Sequence, residues 1–418
     1  MRILRKWRLW LFIVPAMLLA TYAHAQRDEE LATAADGQAD SALETVTELA
    51  AIESGSGDAE GLAEMAAILE NRLLTLDFDV RRVTSEVDVL ADSLVATKTG
   101  SGTQHVMLMA HMDTVFERGT LDTMPIRLDG TRLYGPGVVD AKGGIAVILH
   151  GLEILKDIGW DDYASITVLF NPDEEIGSAG SGPLISTLAK DMDTVLSFEV
   201  GGSRARNMAW VLAGTASYVQ VTMEITGLSS HAGSNPGKGR NAVIELAHQL
   251  LRTKDVAAGI DGAQLNWTNV VSDDAYNKIP DHAVAIADVR ITKSGADDAL
   301  LAALQAKVSE DSIVNGTTTT FSMEMLRPGF NANDAVIEAA ELVQRMHREI
   351  SSREVYYVPM VMGATDAGYA AVSDNVAVVE GLGPWGADYH SPGEYLDVDS
   401  LSPTIYQLAR VLIELGKM

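Results

Sequence analysis

The 418-residue chain is long enough for two to three domains at roughly 150 residues each. Hydrophobic residues at 47% and charged residues at 21% exclude a disordered, collagenous or coiled-coil chain. A formal charge of -27, from 31 Lys+Arg against 58 Asp+Glu, opposes binding to nucleic acid or anionic membrane, and the absence of cysteine removes disulfides, thiolate metal sites and cysteine nucleophiles.

Arg2, Arg5, Lys6 and Arg8 precede an apolar run at 9–20, and Ala23-His24-Ala25 supplies small residues for a signal peptidase. About 12 apolar residues fall short of the roughly 20 that span a bilayer. Residues 1–25 are therefore read as a cleaved signal peptide, which predicts a periplasmic or secreted protein with no stable membrane anchor. Cleavage removes four positive charges and no acids, leaving 27 − 58 = -31.

Continuous apolar runs at 106–110, 165–170 and 194–198 read as strands buried on both faces. Helical periodicity appears at 62–74, 145–156 and 335–346. Together they predict an α/β domain with a mostly parallel sheet. Between 214 and 326 the rhythm changes to strands at 217–225, 264–271, 284–291 and 317–325 with helices at 240–252 and 296–308. That βαββαβ order predicts a ferredoxin-like unit inserted between 26–213 and 327–418.

In open α/β sheets the working site lies at the carboxyl ends of the strands. There stand His111-Met112-Asp113, Asp173-Glu174-Glu175 and Glu199, with Asp140 opening a Lys142-Gly143-Gly144 turn into a helix and His390 in a Gly-rich loop. Taken singly, each is more often a turn former, a helix cap or a solvated histidine. As a set without thiolates they suit a pair of Zn²⁺ ions, with one of Glu174 and Glu175 left as general base.

His111-Met112-Asp113-Thr114-Val115, the 135–144 loop, Asp173-Glu174-Glu175-Ile176-Gly177-Ser178, Ser230-His231-Ala232-Gly233 and Gly363-Ala364-Thr365-Asp366-Ala367 together resemble the M20 family of dizinc metallopeptidases, and within it the glutamate carboxypeptidases of the carboxypeptidase G type. The resemblance covers nearly the whole mature chain. It implies a zinc-exopeptidase catalytic domain, with 214–326 as a dimerisation and lid domain, and a carboxypeptidase or amidohydrolase, exported on the signal-peptide reading, that acts on N-acyl or peptidyl substrates and releases glutamate. It implies two Zn²⁺ per subunit. Asp140 bridges them, His111 and Glu199 complete one site, and Glu175 and His390 the other. Glu174 is then the base, Asp113 steadies the His111 imidazole, and His231 reaches the active site of a second subunit in a homodimer. Arg290 and Arg327 are the candidates for the substrate α-carboxylate, each with a surface ion pair as its ordinary alternative. Asn277, Gly363 and Thr365 are further contacts.

The likeness fails at Met208 and Trp210, where glutamate-specific relatives carry a lysine and a serine. An apolar pair favours a hydrophobic or aromatic C-terminal residue, although Arg204 and Arg206 stand nearby and Met208 and Trp210 could equally pack at a domain junction. A dipeptidase, an aminoacylase and, from another class, a non-catalytic periplasmic binding protein stay open. No Gly-x-Ser-x-Gly elbow and no P-loop is present. His105, His150, His248, His282 and His347 read as structural.

Overall fold

A computed structural model describes residues 27–85, 87, 91–203, 208–272, 275–351, 355–373 and 375–418. The signal-peptide reading and Arg204 and Arg206 lie outside the described residues.

The larger sheet has six strands in the order Asp79–Val83, Ser93–Thr99, Ser165–Asn171, His105–His111, Thr194–Ser197 and Ala377–Val379. The last four run parallel, and Ser93–Thr99 is antiparallel to both its neighbours. Alternate side chains feed two cores, as period-2 geometry requires. Val106, Leu108 and Ala110 pack in the core shared with helices Glu29–Ala50, Lys142–Asp157 and Leu401–Gly416, whereas Met107 and Met109 face the one that includes Ile185 and Ala367. Burial on both faces is why these strands read as unbroken apolar runs, and the mixed α/β fold with a mostly parallel sheet is as the sequence predicts.

From Ser217 to Arg327 the chain forms a separate antiparallel sheet in the order Ala263–Val271, His282–Ile291, Ser217–Thr226 and Thr318–Arg327. Helices Ala242–Thr253 and Ala296–Ser309 cover one face, and strand His282–Ile291 alternates between buried residues and half-buried or exposed ones. One covered face explains the alternating pattern that sets this segment apart in sequence.

Two short ladders bear on the site. Strand Met208–Leu212 pairs in parallel with Val355–Val358, and a short ladder joins Ser230–His231 to Lys278–Ile279.

Candidate active site and metal centre

Strand His105–His111 ends on His111, which is buried at 2% exposure. Its Nδ1 lies 3.0 Å from the Asp113 carbonyl oxygen and 3.4 Å from the Asp113 carboxylate. With Nδ1 as the donor, Nε2 faces Asp140 at 3.1 Å and Glu199 at 3.6 Å and presents its lone pair there. On the other side of Asp140, His390 Nε2 stands 3.2 Å from Asp140 Oδ2 and 3.2 Å from Glu175 Oε2. The structure thus gathers two donor groups, His111 with Asp140 and Glu199, and Asp140 with Glu175 and His390, the ligand atoms of each within 4.8 Å of one another. Asp140 belongs to both. Nitrogen and carboxylate donors alone fit hard or borderline divalent cations.

The electrostatics match a place built for positive charge. Burial works against protonation of His111, but Glu199, Asp113 and Asp140 override it and hold the imidazole well above its ordinary range. Hydrogen bonds to Asp140 and Glu175 raise His390 to about 10. Burial pushes Glu199 up to about 7 despite His111. Asp140, also desolvated, is nevertheless held below the usual carboxylate range by the two histidines.

Asp113 does more than touch His111. It is fully buried, and its two carboxylate oxygens accept the backbone N–H groups of Glu174 and Glu175, each at 3.1 Å, and the Ser56 hydroxyl at 2.6 Å. One side chain therefore fixes the histidine strand end to the Glu174-Glu175 turn. Glu174 is buried and bonded through Oε1 and its carbonyl oxygen to Arg327, which also donates to the Ala364 carbonyl at 2.9 Å. Burial raises the Glu174 carboxyl well above its ordinary range, with Arg327 pulling the other way.

These groups open on a cleft of about 1020 Å³ that Asp140, Glu174, Glu175, Glu199 and His390 line. Arg290 and Arg327, Met208 and Trp210, and Gly363 and Thr365 also line it. His231 and Asn277 do not. They sit together instead, where Ala232 N–H donates to the Asn277 carbonyl at 2.8 Å, and His231 is exposed with Nδ1 accepting from Gly233 and Ser234 N–H, both at 3.1 Å.

Three acids escape the sequence reading as site residues. Glu394 is fully buried and accepts the N–H groups of Gly137, Val139 and Asp140. Asp366 accepts from Ser178 and Asn171 beneath the Glu174 turn. Glu380 follows strand Ala377–Val379, accepts the Thr365 hydroxyl at 2.6 Å and leaves Oε1 with no hydrogen-bond partner. The strand-end rule, applied to 377–379, points to Glu380. Asp366 stands in the 363–367 motif without a role assigned to it, and no local signal marks Glu394.

Paired donor groups at the carboxyl ends of a parallel sheet, with a buried acid beside them, define a hydrolase of the metal-dependent peptidase class. Residues 107–414 match the model of "Peptidase family M20/M25/M40", and the chain belongs to that family, as its motifs imply. Carboxypeptidase G2 of Pseudomonas sp. (strain RS-16) is 37% identical over 405 residues, 97% of this chain and 96% of that protein. A tripeptidase structure from Staphylococcus aureus superposes with a TM-score of 0.74 at 21% identity, covering 91% of this chain and 99% of that one. An M20 family metallo-carboxypeptidase structure from Sulfolobus solfataricus does so with a TM-score of 0.71 at 15% identity, covering 90% and 99%. At such identities the structural likeness shows the fold.

Proposed function

We propose that this metal-dependent hydrolase is an exported carboxypeptidase or amidohydrolase that uses two Zn²⁺ ions to release a C-terminal amino acid from N-acyl or peptidyl substrates. The observation that carries the reading is the placement of Glu174, an acid outside both donor groups yet beside them in the same cleft. His111, Asp140 and Glu199 would hold one ion and Asp140, Glu175 and His390 the other. Ions there supply a polarised scissile carbonyl and a water of lowered pKa. Glu174 takes the proton of the attacking water and returns it to the leaving amine. Asp113 keeps Glu174 and His111 in register, and one of Arg290 and Arg327 receives the α-carboxylate. The family resemblance by itself would make the released residue glutamate, a point on which the residues of the cleft wall argue otherwise.

Residues 214–326 are proposed as a lid and dimerisation domain joining two subunits. Support comes from His231, whose exposed ring lies outside the cleft of its own chain, in keeping with a role in a partner's. Residues 1–25 are proposed as a signal peptide directing the chain to the periplasm or beyond.

The test is Glu174→Gln in the zinc-loaded protein. Release of amino acid from an N-acyl substrate should fall by at least about 10³-fold with bound zinc unchanged. Activity within tenfold of the parent would overturn the reading.

A further inference from the structure

Strand Met208–Leu212 carries Met208, Trp210 and Leu212 on the face that lines the cleft, while Ala209 and Val211 are buried behind it. Parallel pairing sets Val358 beside Leu212, and Val358 and Val361 line the cleft as well. The indole of Trp210 is fixed, because its Nε1 donates to the Val200 carbonyl at 2.8 Å. Gly381 lets the ring lie close, since a Cβ there would stand 3.1 Å from Trp210 Cδ1. With its one donor spent, Trp210 offers a substrate only carbon.

Charge on the wall points the same way. Among the described lining residues there is no lysine, and the cations besides His390 are Arg290 and Arg327. Arg327 is bonded to Glu174. Arg290 is bidentate on Asp288 at 2.9 and 2.8 Å, with its guanidinium 4.2 Å over the Tyr218 ring. One arginine is needed for the α-carboxylate, so a second carboxylate entering here meets Glu324 and Glu380 and, among the described lining side chains, no cation that is not already paired with an acid. A desolvated carboxylate without a partner is heavily penalised, whereas an aromatic side chain removes 150–250 Å² from water.

We infer that the side-chain subsite of this cleft, formed by Met208, Trp210, Leu212 and Val358, takes an apolar and above all an aromatic C-terminal residue and rejects glutamate. The inference rests on the carboxypeptidase reading above and names its substrate class.

The experiment compares kcat/KM of the zinc-loaded protein for N-benzoyl-phenylalanine, N-benzoyl-glutamate and N-benzoyl-lysine. Phenylalanine should lead glutamate by about 100-fold or more. Met208→Lys, a half-buried position on the cleft wall, should move the phenylalanine-to-glutamate ratio toward glutamate by at least about tenfold. Preference for glutamate or for lysine in the parent protein overturns the inference, as does a ratio that Met208→Lys leaves unchanged. Calorimetry with free phenylalanine and free glutamate on the same protein separates the two readings. Tighter phenylalanine without cleavage of any substrate supports the subsite and removes the hydrolytic function, and equal or tighter glutamate removes the subsite.

Discussion

The carboxylate of Glu394 accepts the backbone N–H of Asp140 at 3.3 Å, along with those of Val139 at 3.0 Å and Gly137 at 3.1 Å. The acid common to both donor groups is therefore aimed by another acid more than 250 residues away in sequence. Glu394→Gln preserves volume but turns an amide donor toward N–H groups that need acceptors. We expect zinc affinity to fall by about 10–100-fold, read by competition with a chelating dye, together with a stability loss of about 1–3 kcal/mol. Parent-like affinity in a folded variant would refute the aiming role.

Glu380 gives the metal-free protein a pH dependence of definite sign. Burial, reinforced by the nearby Glu199 charge, pushes its carboxyl from 4.5 up to about 8. Between those values the folded state keeps a proton that the unfolded state has lost. The stability this contributes is complete below pH 4.5 and is lost as pH rises through about 8, at no more than about 1.4 kcal/mol per pH unit. Glu199 and Glu394, each raised to about 7, slope the same way, so the informative quantity is a difference. Glu380→Gln should flatten the melting temperature against pH and melt above the parent at pH 8, in chelator. Parallel curves for parent and variant would show that Glu380 is ionised throughout.

The two donor groups should not hold their ions equally. His111 is 2% exposed, whereas half of the His390 side chain, 50%, is open to solvent. A chelator should strip the ion held by Glu175 and His390 first, giving two phases of zinc release. His390→Ala should retain about one equivalent of zinc. His111→Ala should in addition lose about 1–3 kcal/mol of stability, because it leaves Asp113 and Glu199 without their buried partner. A single release phase, or equal losses in the two variants, would contradict this order.

The strand-end acids and histidines were legible because a parallel sheet buried on both faces writes unbroken apolar runs, and the residue after each run stands at the site. His111, Glu174, Glu175 and Glu199 all follow from that geometry. The ferredoxin-like order was legible for the opposite reason, since one open face restores alternation. Glu394 was not, because its meaning is three backbone donors on the 137–140 loop that no local pattern announces. Nor was the engagement of Arg327 with Glu174, which joins strand Thr318–Arg327 to a turn 153 positions earlier. The same holds for Trp210, where sequence left a substrate wall and a packing residue equally open and the hydrogen bond to Val200 fixes which face is presented.

That engagement of Arg327 yields the sharpest prediction. Its guanidinium holds the Glu174 carboxylate, the Glu174 carbonyl and the Ala364 carbonyl together, a fork that a lysine ammonium on one flexible stem does not reproduce. Arg327→Lys should lower kcat/KM by about 10²–10³ while keeping the charge beside Glu174. Arg327→Met removes that charge. Because Arg327 opposes the rise that burial imposes on Glu174, its loss raises the Glu174 carboxyl further, and in the proposed role of base, which requires ionisation, Glu174 would then act only at higher pH. The acid limb of kcat against pH should move upward in Arg327→Met and stay near the parent's in Arg327→Lys. If the limb fails to move in Arg327→Met, Arg327 acts through packing or substrate binding alone.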